Sequence, residues 1–129
     1  MNEKYDFRVP QKALVFHKGK CLTMKRSPTA KAYPNCWDFP GGKLEHGENP
    51  IEGLKREVRE ETNLEVKVIK PIFVYSEENT HFVYVVVFEC ELIGSDEIKL
   101  SKEHTEYKWV NKEQLLLMET EPYIKKLFC

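Results

Sequence analysis

Seven apolar residues follow one another without a break from Phe82 to Phe88 in "HFVYVVVFECEL". A strand with one wet face alternates apolar and polar side chains, so this run reads as a strand covered on both faces. Its neighbours fit a sheet. "LEVKVIKPIFVYS" is a second strand-like run, joined to the first by the polar turn "EENT". Upstream, "KALVFHKGKCLTMKR" predicts a hairpin: apolar residues 13–16, a turn through Lys18-Gly19, then Leu22 and Met24 alternating with polar neighbours. "SPTAKAYPNC" reads as a surface loop, "EYKWV" as a further short strand, and "NKEQLLLM" as a helix opened by an Asn111/Gln114 capping pair. A last short helix starts near Pro122.

At 129 residues, with 41% hydrophobic and 32% charged residues, the chain suits one domain over 1–129 that buries a core without disulfides or a structural metal. A formal charge of −1 and the lack of a basic stripe argue against a generally nucleic-acid-binding surface, so a negatively charged ligand must be held locally. "MNEKYDFRVPQKALVF" has no apolar segment after a basic start, and no apolar run approaches the roughly 18 residues that span a bilayer. The expectation is therefore a cytoplasmic protein without a membrane partner. Cys21, Cys36, Cys90 and Cys129 form no C-x-x-C pair and no zinc-like spacing with the histidines, and read as reduced structural thiols.

Asn49-Pro50 starts a helix: Asn49 as N-cap, Pro50 in the first turn, and Glu52 to complete a capping box. Ile51, Leu54 and Val58 give it an apolar stripe, and Asn63 suits the left-handed C-terminal position. In "LKREVREET", Glu57, Glu60 and Glu61 crowd the flank beside that stripe, with Gly53 leaving space there. Each like-charged pair at helical spacing disfavours the helix by roughly 0.2–0.5 kcal/mol, so water screens the charges or something positive binds them.

The stretch "GGKLEHGENPIEGLKREVREETNL" resembles the signature of the Nudix hydrolases, G-x5-E-x7-R-E-U-x-E-E-x-G-U with U bulky and apolar. Gly42, Glu48, Arg56, Glu57, Val58, Glu60, Glu61 and Leu64 meet it, and Asn63 replaces the final glycine. The flanks "WDFPGG", "LTMKRS" and "EYKWV" are similar to the family's as well. This resemblance implies an α/β/α sandwich around a central mixed β-sheet, with the Nudix box at 42–64. It also implies a pyrophosphohydrolase that depends on Mg²⁺, or Mn²⁺ in its place, both ions that take oxygen ligands.

By the same resemblance, Glu57 and Glu61 are direct metal ligands, Glu60 a ligand directly or through water, and the Gly42 carbonyl a further one. Arg56 holds a box carboxylate such as Glu48. The catalytic base is a box glutamate or a late-loop glutamate, for which Glu103 stands in the right place and Glu106 is the local competitor. Arg26 is a candidate phosphate contact and Phe39 a candidate for the base site. His81 and His104 read as surface residues, Lys43 as solvent-facing sooner than a phosphate contact, and Trp37, Phe39, Tyr84 and Trp109 as core more often than ligand platform.

"FPGGKLEHGE" looks most like the MutT-type nucleoside triphosphate pyrophosphatases, which release a monophosphate and pyrophosphate. The ADP-ribose and sugar-nucleotide subgroup often has a proline about fifteen residues after the box, where Asn79 and Thr80 stand here. Dinucleoside polyphosphate hydrolases often have a tyrosine further on, near but not at Tyr84. A capped RNA end stays open as a substrate. A non-catalytic nucleotide-binding module is disfavoured because all three box glutamates are present. Family members occur as monomers and as homodimers, and nothing in this sequence marks an interface.

Overall fold

The two residues after the first apolar run set the start of the sheet. Lys18 and Gly19 both have positive φ, 52° and 78°, which a two-residue hairpin turn needs to match the twist of its strands. In the computed structural model, which describes residues 7–77 and 83–128, they join β1 (Pro10–His17) to β2 (Lys20–Arg26) as the expected antiparallel hairpin. Short β3 (Trp37–Asp38) pairs with β2, and β4 (Gly41–Lys43) pairs with β1. The two long runs become β5 (Glu65–Glu77) and β6 (Val83–Ile93), paired antiparallel. β6 lies parallel to β1, and β7 (His104–Val110) runs antiparallel to β2.

The product is a seven-stranded mixed sheet with the main order β3-β2-β1-β6-β5. β5 is an edge strand, which accommodates Pro71 and the register shifts around it. Of the turn expected through Glu77–Thr80, only Glu77 is described, and His81 and Phe82 also lie outside the described residues.

Among the described residues three helices cover the sheet: α1 (Pro50–Thr62), α2 (Lys112–Leu117) and α3 (Pro122–Leu127). Alternating strand residues feed two cores. Ala13, Val15, Met24 and Phe88 pack with Leu54 and Val58 of α1, whereas Leu14, Cys21, Val85 and Val87 pack with Leu115, Tyr123 and Ile124 of α2 and α3. β6 thus contributes to both cores, as its unbroken apolar run requires, and the fold is an α/β/α sandwich. No helix among the described residues is long and apolar enough to cross a membrane.

The helix ends carry most of the local sequence logic. The Asn49 side chain accepts from the N–H groups of Ile51 and Glu52, both at 3.0 Å, and Asn63 closes α1 at φ 70°. Two details of α1 differ from expectation. Glu52 does not complete a capping box: its exposed carboxylate lies 3.6 Å from Lys55, one turn on. Ile51 lies at the rim and is exposed, so Leu54 and Val58 carry the stripe. The reciprocal Asn111/Gln114 box does form in α2. Cys21 and Cys90 are buried and Cys36 half-buried, none in a disulfide.

β4 approaches β1 more closely than a side chain allows. A Cβ on Gly41 would stand 1.9 Å from the backbone oxygen of Gln11, and Gly41 has φ 150°. Backbone cannot give way there without breaking the β1–β4 pairing. Gly41→Ala is expected to destabilise the fold by about 1–3 kcal/mol, read as a lower urea midpoint with unchanged slope; an unchanged midpoint would count against the close approach.

Candidate active site

The Gly41–Gly42 strand is pressed between β1 and α1, and α1 turns two of its carboxylates toward it. A Cβ on Gly42 would meet the Glu57 carboxylate at 2.5 Å, and one on Gly53 would meet that of Glu48 at 2.6 Å. These glycines are therefore the space in which the acids sit. Glu61 is buried at 7% exposure, and its Oε1 accepts from the Gly41 N–H at 2.9 Å.

The loop before β7 is fastened over the end of α1. The N–H groups of Lys99 and Ser101 donate to the carbonyls of Thr62 and Glu61, at 3.0 and 3.2 Å, and satisfy acceptors that a helix end leaves open. Asn63 Nδ2 adds a bond to the Glu97 carbonyl. Ser27 N–H donates to the Glu103 carbonyl from the other side. Glu103 is thereby set opposite Glu61.

Between these elements lies a cleft of about 710 Å³. Gly41, Gly42 and an acidic group, Glu57, Glu61 and Glu103, line it, with Glu45, Glu77 and Glu121 as further acids, and Arg8, Lys12, Arg26 and Lys43 bring positive charge to the same space. The sequence-derived candidates divide accordingly. Gly42, Glu57, Glu61, Glu103 and Arg26 all line the cleft. Arg56 lies behind it, with Nη2 2.8 Å from Glu48 and 3.2 Å from Glu57, and Nη1 3.1 Å from Glu60. Glu60 is turned toward that guanidinium and is not among the cleft walls.

Phe39, expected at the base site, is fully buried. Its ring meets Tyr123 edge-on at 5.9 Å between centroids, so it packs the opposite core and is not a cleft wall. His104, expected on the surface, is 7% exposed and opens β7. The polar loop therefore ends at Glu103, and a ring nitrogen of His104 lies with carboxylate oxygens of Glu61 and Glu103 in a group spanning no more than 4.8 Å.

Residues that the sequence did not single out make up the rest. Lys12, buried in β1, forms a 2.7 Å ion pair with Asp38. Burial opposes its charge, but Asp38 outweighs that and holds the ammonium above its ordinary range. Asp38 is also buried, yet Lys12 and hydrogen bonds from Glu121, Lys12 and Tyr123 keep its carboxyl below the usual carboxylate range. Glu121 is pushed the other way, by burial and then by the Asp38 charge. At the far end of the cleft the Tyr33 hydroxyl donates to Glu77. The acids before Pro122 and at the end of β5 read as a helix cap and a turn residue, and a lysine at a strand start reads as solvent-facing; none carries a local signal of a cleft.

The arrangement suits a hard divalent cation beside a polyanion. Glu61 has been moved up to about 8, by burial above all, against the pull of the Gly41 N–H and of Lys12. Burial also raises Glu57, with Arg56 opposing it. Two carboxyls facing Glu103 in one cleft are most stable when something positive joins them, and oxygen donors of this kind match Mg²⁺ or Mn²⁺.

Residues 8–129 match the NUDIX domain. The chain is 28% identical to the nucleoside triphosphatase NudI of Enterobacter sp. (strain 638) over 114 residues, 79% of this chain and 80% of that protein. It is 32% identical to a MutT-like protein of Streptomyces ambofaciens over 109 residues, 84% of this chain and 66% of that one. Among solved structures, the MutT protein from Methanosarcina mazei Go1 superposes with a TM-score of 0.85 at 30% identity, covering 98% of this chain and 94% of the other. With the signature, the sandwich and this match running over nearly its whole length, the chain belongs to the Nudix family and is a hydrolase of phosphoric anhydrides.

Proposed function

We propose that the enzyme is a Mg²⁺-dependent nucleoside triphosphate pyrophosphohydrolase that releases a nucleoside monophosphate and pyrophosphate. The observation that carries this reading is the pairing in one cleft of an acidic wall, Glu57, Glu61 and Glu103, with the cations Lys12, Arg26 and Lys43. A triphosphate needs both: oxygen donors to hold a metal, and fixed positive groups to orient its outer oxygens. The similarity to NudI and MutT-like proteins supports a triphosphate over other anhydrides.

Glu57, Glu61 and Glu103 would hold the divalent ion, with the Gly42 carbonyl beside them. Bound there, the ion supplies charge neutralisation on the phosphates and lowers the pKa of water. The chain's own groups do the rest. Arg26 meets phosphate oxygens while its Nε stays tied to the Ala32 carbonyl at 2.9 Å. Water adds to a phosphorus, the bridging P–O bond breaks, pyrophosphate departs with the bonding electrons, and a cleft carboxylate, Glu57 or Glu103, takes the water's proton. Arg56 and Glu60 act from behind as positioning residues, fixing Glu48 and Glu57.

Three outcomes test this reading. Purified enzyme with Mg²⁺ and a panel of nucleoside triphosphates, ADP-ribose, sugar nucleotides and dinucleoside polyphosphates should give monophosphate plus pyrophosphate from a triphosphate by mass, and Glu61→Gln should reduce this to background; cleavage of another class alone would overturn the substrate assignment. Arg56→Ala is expected to lower turnover roughly 10–100-fold and to raise the Mg²⁺ concentration needed, whereas an unchanged Mg²⁺ titration would remove its positioning role.

The third concerns pH. Glu61 holds its proton up to about 8 in the folded, metal-free enzyme, against about 4.3 in an unfolded chain. The folded state therefore binds more protons between those values, and metal-free stability falls as pH rises through that window. Metal binding must expel the same proton, so Mg²⁺ affinity by calorimetry should strengthen up to about tenfold per pH unit below 8 and level off above it, with proton release. A flat profile from pH 6 to 8 would exclude Glu61 as the group that is deprotonated.

A further inference from the structure

Among the described residues a few buried side-chain polar atoms have no hydrogen-bond partner, and one of them belongs to the residue that follows Glu103. His104 Nδ1 is shielded from solvent and has no hydrogen-bond partner, although the residue is more than nine-tenths buried. Such a nitrogen is disfavoured unless something pairs it. The backbone around it is specifically shaped. Between Lys25 and Arg26 the β2–β7 register shifts, so that Arg26 comes opposite His104. Irregularities of this kind re-aim a side chain beside a site. Ser101 N–H, three residues earlier, is bonded to the Glu61 carbonyl, and His104 N–H donates to the Ser101 carbonyl. Helix end, loop and strand start are thus one unit.

We propose that His104 is a nitrogen ligand of the divalent-metal site, with Glu61 and Glu103 as its oxygen partners, so that a first-row transition ion binds there more tightly than the Mg²⁺ that supports turnover when in excess. The inference rests on the metal-dependent reading above and assigns a residue that lies outside the box signature. Its geometric basis is the 4.8 Å span of the three ligand atoms. Donors each about 2.1 Å from one ion stand about 3.0 Å apart when cis and about 4.2 Å apart when trans, so side-chain rotations that move the widest pair by about 1–2 Å bring all three onto a single ion. The selectivity follows from donor chemistry. Carboxylate and carbonyl oxygens serve Mg²⁺ well, whereas imidazole favours first-row transition metals, among which Mn²⁺ is the weakest binder and hence the strictest probe.

The test uses the full-length enzyme and Mn²⁺ itself. Calorimetry gives the affinities for Mn²⁺ and Mg²⁺, and pulsed electron paramagnetic resonance of the Mn²⁺ complex reports a directly bound ¹⁴N. The expected result is one imidazole nitrogen coupling in the wild type, absent in His104→Gln, with Mn²⁺ affinity lowered roughly tenfold or more and Mg²⁺ affinity changed far less. Should His104→Gln fail to fold, retention of the signal in His17→Gln, His46→Gln and His81→Gln assigns it to His104 by elimination. Tight Mn²⁺ binding without nitrogen coupling would overturn the inference and leave the carboxylate metal site standing. Absence of Mn²⁺ binding altogether would overturn both.

Discussion

The rest of the structure depends on how closely the Gly41–Gly42 backbone lies to its two neighbours. On one side it pairs with Gln11 and Lys12 of β1, where no Cβ fits. On the other it makes room for the Glu57 carboxylate and donates its amide to Glu61. A side chain at Gly41 would break the pairing with β1, and one at Gly42 would displace the Glu57 carboxylate. The same dipeptide therefore sets the distance between layers and the position of the charges, which links packing to chemistry at one point.

The like-charge crowding on α1 is relieved by dividing the acids among different environments. Glu60 stays in solvent beside Arg56, Glu57 is half-buried next to the same guanidinium, and Glu61 is taken out of water. One planar cation thus reaches Glu48, Glu57 and Glu60, a task for which the forked arginine head is suited and a lysine ammonium is not. Glu61 is left with an amide and the distant Lys12 to oppose burial, and its raised pKa records that shortfall. The acid that gains least from the protein is the one with most to gain from a bound cation.

How much of this was legible in the sequence varies with the range of the interaction. The hairpin turn at Lys18-Gly19, the Asn49 and Asn63 ends of α1 and the two-faced strand β6 follow from local rules, and the structure has them all. The family resemblance singled out Gly42, Glu57 and Glu61 as expected metal ligands, and all three line one cleft. Phe39 was open between base site and core because an aromatic next to a glycine bend gives no sign of which sheet face it joins, and here it joins the core beside Tyr123 of the last helix. His104 was misplaced because "SKEHTEY" looks uniformly polar, while its burial comes from the loop being fastened across α1. Lys12, Asp38 and Glu121 converge from the first strand, the third strand and the start of α3, and no local pattern encodes such a meeting.

That convergence bears on why the chain keeps charge in its interior. A buried pair such as Lys12–Asp38 is weak evidence of stability, since desolvation takes back most of what attraction provides. Its value here is positional. Asp38 accepts from both Lys12 and Tyr123, and Phe39 N–H donates to the Tyr123 hydroxyl at 3.2 Å, so one network ties β1, β3 and α3 together. Arg26 joins it at 3.6 Å from both Asp38 and Glu121. Lys12 and Arg26 are therefore held against Asp38, which lies outside the cleft, just as Glu57 is held against Arg56. Countercharges lying away from the cleft thus fix Lys12, Arg26 and Glu57 toward the space where a substrate would lie; preorganisation of this kind spares the reorganisation that water or mobile side chains would require at the moment of reaction.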